Sequence, residues 1–228
     1  IMKCIAIIPA RGNSKRIKNK NIKFFNNKPI IYHVIKKLKV SKLFSNIYVS
    51  TDSNKIKSIA EKNGAIVPFK RSKILSNDYS SSRDVIIDMI KYLEKKNKKF
   101  NYVCCIYPTS VFVSNLILKK AFKLLLNNQN KFIFGAIPFA TPIERGFQLK
   151  KNKIYKNMKK KFINTHTNKL NKTYYDSGQF YFAKKEMFIK KIPVFKNGNI
   201  AIKFDNYNCV DINNPEDWKL AEIIYKNL

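Results

Sequence analysis

The chain has 228 residues, 45% of them hydrophobic, a length and composition that suit one domain with a single sizeable core. Its formal net charge of +32 ordinarily favours a nucleic acid or an anionic membrane surface as partner. Only five basic residues are arginine and 41 are lysine, spread along every segment, which indicates dispersed charge rather than a binding surface. No apolar run approaches the ~18 residues of a membrane span, and the opening residues lack a signal-peptide cleavage site. We therefore expect a soluble, cytoplasmic protein with no specific nucleic-acid or membrane partner.

Strand and helix patterns alternate through the first 140 residues. Four apolar runs that end in small polar residues or proline are typical of strands buried on both faces, and they span residues 3–10, 46–52, 101–110 and 131–140. Four helical patterns accompany them, at residues 29–40, 54–64, 81–96 and 114–128, the last capped by Ser114. This alternation predicts an α/β fold with three αβα layers around a mostly parallel sheet.

The pattern changes in the following segment. Residues 146–157 and 173–185 have the alternation of exposed hairpin strands, with a lysine-rich loop between them. We therefore predict a protruding β-hairpin arm within about residues 141–182. Such an arm would either cover the functional site or pair with another subunit.

The rest of the chain shows no sign of a second domain, a zinc site or a catalytic triad. The tail returns to a strand and then to a helix that begins at Asn214 and Pro215, and no linker interrupts residues 1–228, which we treat as one domain. The cysteines lie among apolar residues without metal-ligand spacing, so we expect buried, reduced thiols. His33 lies in an apolar helical pattern and is predicted to be structural.

The segment PARGNSKRIKNKN, residues 9–21, follows the first predicted strand, and five of its thirteen residues are basic. Gly12 tolerates positive φ, so this turn can present successive amides to an anion. The spacing is neither G-x-G-x-x-G nor G-x-x-x-x-G-K-[ST], which argues against a dinucleotide site and a P-loop. Parallel sheets bind ligands at the edge formed by the carboxyl ends of their strands. Three other segments are expected at this edge, namely VSTDS, IYPTS and CVDINNPED. The pattern favours a phosphate-binding loop over a solvated turn.

These segments resemble the acylneuraminate cytidylyltransferase family over essentially the whole chain. The opening IIPARGNSKRIKNKNIKFFNNKPII is similar to the family's strand followed by Pro-Ala-Arg-Gly-x-Ser-Lys and then Lys-Asn. IYVSTDS, PFKRSKILSNDYSSSRDVI and CVDINNPEDW recur in the family's order, while YVCCIYPTS and YYDSGQFYF are most similar to its pseudaminic acid branch. The resemblance implies a Rossmann-like nucleotide-diphospho-sugar transferase fold and an enzyme that joins CMP, from CTP, to a 2-keto-3-deoxy sugar acid.

The resemblance also implies roles for matching residues. The anomeric hydroxyl of the sugar attacks the α-phosphate of CTP, a reaction that depends mostly on positioning and charge neutralisation. The implied catalytic residues are Arg11, Lys20 and Asp211. The implied nucleotide-binding residues are Ala10, Arg11, Gly12, Ser14, Lys15, Asn21, Arg71, Ser80 and Ser82. In the resembled enzymes, the segment that matches Arg71 to Ser82 reads the cytosine base. The same residues also fit a loop with a serine that caps the next helix. Arg16 is either another phosphate contact or a charge at the rim of the site.

The metal position departs from the family pattern. Where the family commonly has Asp-Ile-Asp to hold Mg²⁺, this chain has Asp211-Ile212-Asn213. Because Mg²⁺ prefers carboxylate to amide oxygen, either Asp211 holds the ion with phosphates and water, or the site binds Mg²⁺ weakly. Asp211 and Asn213 are the predicted metal residues. Glu216 and Asp217 are expected instead to stabilise the start of the last helix.

A sugar acid with a carboxylate and N-acyl groups calls for a cation, hydrogen-bonding side chains and aromatic walls. By matching position, the candidates are Tyr107, Arg145, Tyr175, Asp176, Gln179 and Tyr181. Tyr107 stands where the sialic acid branch typically has Gln, which favours the pseudaminic branch. Phe180 and Phe182 are interpreted as strand packing, and His166 is given no role.

The leading hypothesis is therefore a Mg²⁺-dependent cytidylyltransferase that makes CMP-pseudaminic acid for a surface glycan. Synthesis of CMP-sialic, CMP-legionaminic or CMP-Kdo acid is the alternative within the class. A basic nucleic-acid-binding domain is the alternative outside it. Members of the family are often dimers, so the resemblance and the predicted arm together suggest a homodimer.

Overall fold

The computed structural model describes residues 3–157, 159, 162, 164–205 and 208–227. The strands are β1 (Cys4–Pro9), β2 (Phe24–Phe25), β3 (Lys28–Pro29), β4 (Asn46–Ser50), β5 (Tyr102–Ile106), β6 (Ile133–Pro138), β7 (Phe147–Lys150), β8 (Lys153–Asn157), β9 (Tyr174–Lys184) and β10 (Ile200–Lys203). The helices are α1 (Ile30–Ser41), α2 (Asn54–Lys62), α3 (Ser82–Lys95), α4 (Asn115–Asn127), α5 (Lys185–Ile189) and α6 (Pro215–Lys226). Each strand and helix predicted before residue 140 is present, with ends shifted by a few residues.

Short polar side chains satisfy the free amides at the starts of helices. Ser114 Oγ accepts a hydrogen bond from the Ile117 amide at 3.2 Å, which caps α4. Asn214 and Asp217 form a capping box at the start of α6, and Pro215 occupies its first turn. The predicted cap roles of Ser114, Asn214 and Asp217 are thus confirmed.

Six strands form the central sheet, in the order β10-β6-β9-β5-β1-β4. β1 is parallel to β4 and to β5, and β6 is parallel to β10. Side chains of β1 alternate between two cores: Ala6 and Ile8 pack with α1, α4 and α6, whereas Ile5 and Ile7 pack with α3 and α5. The helices therefore cover both faces of the sheet, which confirms the predicted three-layer α/β fold with a mostly parallel sheet.

β9 lies inside this sheet, between β5 and β6, and is antiparallel to both. The prediction of an exposed hairpin strand over residues 173–185 is therefore wrong. Phe180 and Phe182 are fully buried, as predicted. The alternation of polar and aromatic residues indicated one exposed face, but polar side chains of β9 are also buried. Gln179 is 1% exposed and donates its side-chain amide to the Val210 carbonyl at 3.2 Å.

β7 and β8 form an antiparallel hairpin that is separate from the central sheet, as predicted for residues 146–157. Its apolar side chains are largely exposed, namely Phe147, Leu149, Ile154 and Tyr155. The protruding arm is thus this hairpin, and β9 belongs to the sheet. Residues 158, 160, 161 and 163 of the predicted lysine-rich loop lie outside the described residues.

Buried titratable groups of the core have structural roles. The four cysteines are free and buried, and burial raises the thiol pKa of Cys105 and of Cys209 to about 12. The Nε2 atom of His33 donates to the Phe25 carbonyl at 2.7 Å. Both observations confirm the structural roles predicted for these residues. Among the described helices, none combines the length and apolarity that crossing a bilayer requires.

Candidate active site

A cavity of about 420 Å³ opens at the carboxyl ends of β1 and β5. Its walls come from the loop after β1, the segment before α3, the turn after β5, strand β9 and the loop before α6. The predicted site residues that line it are Arg11, Ser14, Lys15, Lys20, Asn21, Arg71, Ser80, Ser82, Tyr107, Asp176, Tyr181, Asp211 and Asn213. The fold therefore gathers, at one edge of the sheet, residues that are far apart in the sequence.

Ala10 and Gly12 shape the loop after β1 and do not belong to the described cavity lining. The Ala10 amide donates to the Ser50 carbonyl at 2.9 Å, which extends the pairing of β1 with β4. The Gly12 amide donates to Asp52 Oδ1 at 2.7 Å. A Cβ atom at Gly12 would lie 2.9 Å from Ser53 Cβ, so only glycine lets the loop approach the start of α2 this closely.

Two cations of this loop converge on Asp78. Arg11 Nη1 lies 2.7 Å from Asp78 Oδ1, and Lys15 Nζ lies 2.6 Å from Asp78 Oδ2. Lys15 and Arg11 hold the pKa of the Asp78 carboxyl below its usual value. Asn21 donates its side-chain amide to the Arg11 carbonyl at 2.8 Å and so braces the loop. Sequence reasoning missed Asp78, because one acidic residue in a polar loop carries no distinctive signal.

Arg71 is buried with part of its guanidinium unused. Its Nε donates to Ser76 Oγ at 3.2 Å, and its Nη2 lies 3.8 Å from Asp52 Oδ1. Within the described chain, Nη2 has no hydrogen-bond partner. Burial lowers the pKa of Arg71, and the negative charge of Asp52 partly offsets this shift. A buried donor without an acceptor is costly, so this atom is suited to a ligand that supplies one.

The serine run divides its roles between helix and cavity. Ser81 Oγ accepts a hydrogen bond from the Asp84 amide at 3.2 Å and caps α3, as the capped-loop interpretation predicted. Ser80 and Ser82 line the cavity. The Ser82 hydroxyl accepts a hydrogen bond from Tyr107 at 2.9 Å. The two interpretations of this segment are therefore compatible, because different serines serve them.

Lys20 and Asp211 form a partly buried pair of opposite charges. Lys20 Nζ donates to the Ile212 carbonyl at 2.9 Å. Burial lowers the pKa of Lys20 and raises that of Asp211, while each charge favours the ionised form of the other. Gly178 has φ of +60°, and a Cβ atom there would lie 2.6 Å from Asp211 Cγ. Glycine at this position therefore gives the carboxylate its room.

Asn213 links Asp211 to the basic loop. Its Nδ2 donates to Asp211 Oδ2 at 2.7 Å, and its Oδ1 accepts from Arg16 Nη2 at 3.2 Å. Its backbone amide donates to Asp217 Oδ2 at 2.8 Å, which anchors the residue to the start of α6. Both ends of the Asn213 amide are thus engaged by protein groups. Arg16, which the sequence left between phosphate contact and rim charge, lines the cavity.

A second cavity of about 650 Å³ adjoins the first, and both are lined by Ser82, Tyr107 and Tyr181. Burial raises the pKa of both tyrosines, so their hydroxyls stay protonated at neutral pH. The second cavity is also lined by apolar side chains of α3, of α5 and of the loop after α5, including Ile86, Phe188, Val194 and Phe195. Sequence reasoning missed these residues, since scattered apolar side chains resemble ordinary core.

Three predicted sugar-binding residues lie outside the described linings of both cavities. Arg145 donates from Nη2 to the Thr165 carbonyl at 2.7 Å, in the segment near the arm. The Tyr175 ring packs on Phe139, with 4.9 Å between centroids. Gln179 is buried beneath the loop that carries Asp211. For these three residues, direct sugar contact stays a prediction that the geometry of a single chain does not support.

Cations line one side of the cavity, and the buried Arg71 on another side has one guanidinium nitrogen, Nη2, without a hydrogen-bond partner in the described chain. This arrangement suits a ligand with a phosphate chain and a polar ring. The fold and the site thus define a nucleotide-binding α/β protein. Residues 5–218 match the sequence model of a family described as cytidylyltransferase, so the chain belongs to the cytidylyltransferase family.

Individual relatives agree with this placement. The pseudaminic acid cytidylyltransferase of Campylobacter jejuni subsp. jejuni serotype O:2 is 38% identical over 226 residues, covering 99% of this chain and 97% of that protein. The CMP-N,N'-diacetyllegionaminic acid synthase of Legionella pneumophila subsp. pneumophila is 27% identical over 228 residues, with 97% and 95% covered. A solved CMP:2-keto-3-deoxy-manno-octonic acid synthetase complexed with CTP matches 99% of this chain and 100% of its own with a TM-score of 0.72. At 13% identity, this last likeness shows the fold alone.

Proposed function

We propose that this protein transfers CMP from CTP to the anomeric hydroxyl of a nine-carbon 2-keto-3-deoxy sugar acid and releases pyrophosphate. The observation that carries the proposal is that Arg11, Lys15 and Lys20 share one cavity with Asp211 and the buried Arg71. Full-length identity of 38% to a pseudaminic acid cytidylyltransferase supports pseudaminic acid as the acceptor. Synthesis of CMP-legionaminic, CMP-sialic or CMP-Kdo acid is the competing reaction.

In this proposal the triphosphate lies against the loop after β1. Arg11 and Lys15 exchange the Asp78 carboxylate for phosphate oxygens, so each cation remains paired when the nucleotide binds. Lys20 lies deeper, beside Asp211, where partial burial strengthens its attraction to charge that develops during transfer. These residues act by position and charge, which is most of what phosphoryl transfer requires.

The base is placed by the segment before α3. Cytosine offers acceptors at O2 and N3 and a donor at N4, and Nη2 of Arg71, which has no hydrogen-bond partner in the described chain, can donate to one of the acceptors. The hydroxyls of Ser80 and Ser82 border the same cavity. Since Arg71 is anchored by Ser76 and Asp52, its donor is fixed before the nucleotide arrives.

The donor set fits a magnesium ion if the substrate completes its coordination. Within the described residues, no three or more His, Cys, Asp or Glu side chains are grouped for a metal. Asp211 is the residue that would hold the ion, together with phosphate oxygens and water, because the Asn213 oxygen accepts from Arg16. When bound, Mg²⁺ supplies neutralisation of the triphosphate charge. Asp211 is also held in place for this role by hydrogen bonding to Asn213.

The sugar acid is placed across the boundary between the two cavities. Its anomeric hydroxyl would face the α-phosphate in the first cavity, and its N-acyl groups would enter the apolar second cavity beside Val194 and Phe195. Lys191 and Lys196 also border the second cavity and provide positive charge for a carboxylate. The two cavities together therefore offer the charged, polar and apolar surfaces that such an acceptor needs.

A homodimer in the cytoplasm is part of the proposal. The β7–β8 hairpin exposes Phe147, Leu149, Ile154 and Tyr155 together, and an apolar hairpin of this kind is favoured at an interface. A cytoplasmic location follows from the use of CTP as substrate.

The test is turnover of purified protein with CTP, Mg²⁺ and each of pseudaminic, legionaminic, sialic and Kdo acid. Pyrophosphate release and the mass of the CMP-sugar would be measured, with UTP as the matched nucleotide control. We expect the highest kcat/KM with pseudaminic acid. Release at the sugar-free background for every acid, from protein that circular dichroism shows to be folded, would contradict the proposed function.

A further inference from the structure

Two tyrosines separate the nucleotide cavity from the apolar cavity. Tyr107 and Tyr181 line both, and their rings meet edge to face, with centroids 5.9 Å apart and an interplanar angle of 84°. The Tyr107 hydroxyl donates to Ser82 Oγ at 2.9 Å. The hydroxyl of Tyr181 donates to a different residue, and the two tyrosines also interact with each other.

Asp176 anchors Tyr181. Its Oδ2 accepts a hydrogen bond from the Tyr181 hydroxyl, and its Oδ1 accepts from the Gly178 amide at 3.1 Å. On a regular strand, residues 176 and 181 would point to opposite faces, because side chains alternate. The positive φ of Gly178 and the register shift opposite Phe134 and Ala136 break this alternation. The contact between the two side chains is thus built by an irregularity of β9.

Held in this way, Tyr181 forms a fixed wall. A tyrosine ring is attached only at Cβ and can rotate about two torsions, so a bond at its hydroxyl end restricts both. Burial, Tyr107 and Asp176 raise the pKa of Tyr181, which keeps the hydroxyl protonated as the donor in this bond. Both carboxylate oxygens of Asp176 have protein donors, so its geometry is explained without a ligand.

We propose that Asp176 is a positioning residue that fixes Tyr181 and thereby sets the boundary of the sugar-acid subsite. This inference rests on the proposed function, and it assigns Asp176 an action through Tyr181 instead of direct contact with sugar, nucleotide or metal. Loosening the wall should weaken binding of the acceptor, whereas the cations and Arg71 that hold CTP lie on other elements.

The test is steady-state kinetics of Asp176→Ala, Tyr181→Phe and the double variant, with pseudaminic acid and CTP varied separately. Each single change should raise KM for the sugar acid about 10-fold and leave KM for CTP within about twofold, as both break the same bond. The double variant should show about the same 10-fold increase for the same reason. Tyr107→Phe is the comparison variant, since it removes the hydrogen bond to Ser82 and leaves the bond between Asp176 and Tyr181 in place.

Several results would overturn the inference. One is an unchanged sugar KM in Asp176→Ala, and another is an effect of about 100-fold in the double variant, which would mean that the two residues act independently. A shifted Mg²⁺ midpoint or an equal rise in both KM values would place Asp176 at the metal or the nucleotide. A crystal structure of Asp176→Ala in which the Tyr181 ring keeps its position would also overturn it, without reference to activity. Failure of the wild-type protein with every sugar acid would instead contradict the proposed function.

Discussion

Asn213 donates its side-chain amide to the carboxylate of Asp211, with 2.7 Å between Nδ2 and Oδ2. The same amide group accepts from Arg16, so a neutral residue connects the basic loop to the proposed metal carboxylate. A second carboxylate here would lose the donor to Asp211, but it would offer Mg²⁺ a better ligand. Asn at position 213, in place of Asp, thus orders the site before the substrate binds. It does so at the expense of strong binding of free metal.

Asn213→Asp should lower the Mg²⁺ concentration for half-maximal activity several-fold, because carboxylate oxygen binds Mg²⁺ better than amide oxygen. The measurement is initial rate against Mg²⁺ concentration at saturating CTP and sugar acid. Asn214→Asp is the matched control, since it adds the same charge one residue away and keeps a good N-cap for α6. Equal Mg²⁺ midpoints for wild type and Asn213→Asp would show that position 213 does not face the ion.

Lys20→Ala should lower kcat/KM by roughly 10² to 10³, as expected for the loss of one preorganised charge at the transferring phosphate. The protein should remain folded by circular dichroism. Lys18→Ala changes an exposed lysine in the same loop and should leave kcat/KM nearly unchanged. An effect of Lys20→Ala below about threefold would remove Lys20 from the site.

Arg71→Lys should raise KM for CTP about 10-fold or more, because lysine keeps the charge but not the guanidinium fork that Ser76 anchors at the cavity wall. CTP affinity can be measured directly by isothermal titration calorimetry. Lys70→Ala, at an exposed neighbouring position, should not change it. If Arg71→Lys bound CTP like the wild type, Arg71 would have no part in reading the base.

His33 should make the stability of the fold depend on pH. Burial lowers the pKa of His33 in the folded protein. The hydrogen bond to Phe25 raises this pKa, whereas the charges of Lys37 and Lys36 lower it further. As pH falls below about 6.5, the unfolded chain therefore binds a proton that the folded chain resists, and the free energy of unfolding decreases. The contribution is fully present above that pH. Thermal unfolding of His33→Gln between pH 7 and 5 should show a weaker decline in Tm than the wild type.

The matched control is His166→Gln, since His166 is exposed and is the other histidine of the chain. Its Tm profile should follow that of the wild type. Parallel Tm profiles for wild type and His33→Gln would mean that proton uptake at His33 does not limit stability in this range.

The double change Leu149→Lys and Ile154→Lys should convert a dimer to a monomer, because it places two charges on the apolar surface of the arm. Sedimentation velocity would measure the mass. Leu116→Lys on α4 changes a leucine that is likewise exposed and should leave the mass unchanged. A wild-type protein that sediments as a monomer at micromolar concentration would contradict the proposed dimer.

The sequence was most informative where local chemistry decides structure. Apolar runs mark buried strands because neither face meets water, and Ser114 and Asn214 mark helix starts because their side chains bond free amides. Strand ends then predict which segments meet, and Arg11, Tyr107 and Asp211 from three of the predicted segments do line one cavity. Their roles came from the family resemblance, since the residues alone left alternatives open.

Long-range contacts explain what the sequence did not predict. The pattern of β9 is that of an exposed strand, whereas the burial of Gln179 depends on hydrogen bonds of its side chain to the Ser177 and Val210 carbonyls. The meeting of Asp176 with Tyr181 depends on a register shift that violates strand alternation. Asp78 and the apolar second cavity have no local pattern, because each is defined by neighbours from distant parts of the chain.

The antiparallel insertion of β9 also constrains how the protein is made. β5 and β6 are both synthesised before β9, yet they touch β9 and not one another in the strand order. Until Tyr174–Lys184 has left the ribosome, the β4-β1-β5 group and β6 each present an open edge of unpaired amides and carbonyls. A nascent chain halted before β9 would therefore be a template for aggregation. The synthesis of β9 is the step that allows the two parts of the sheet to join.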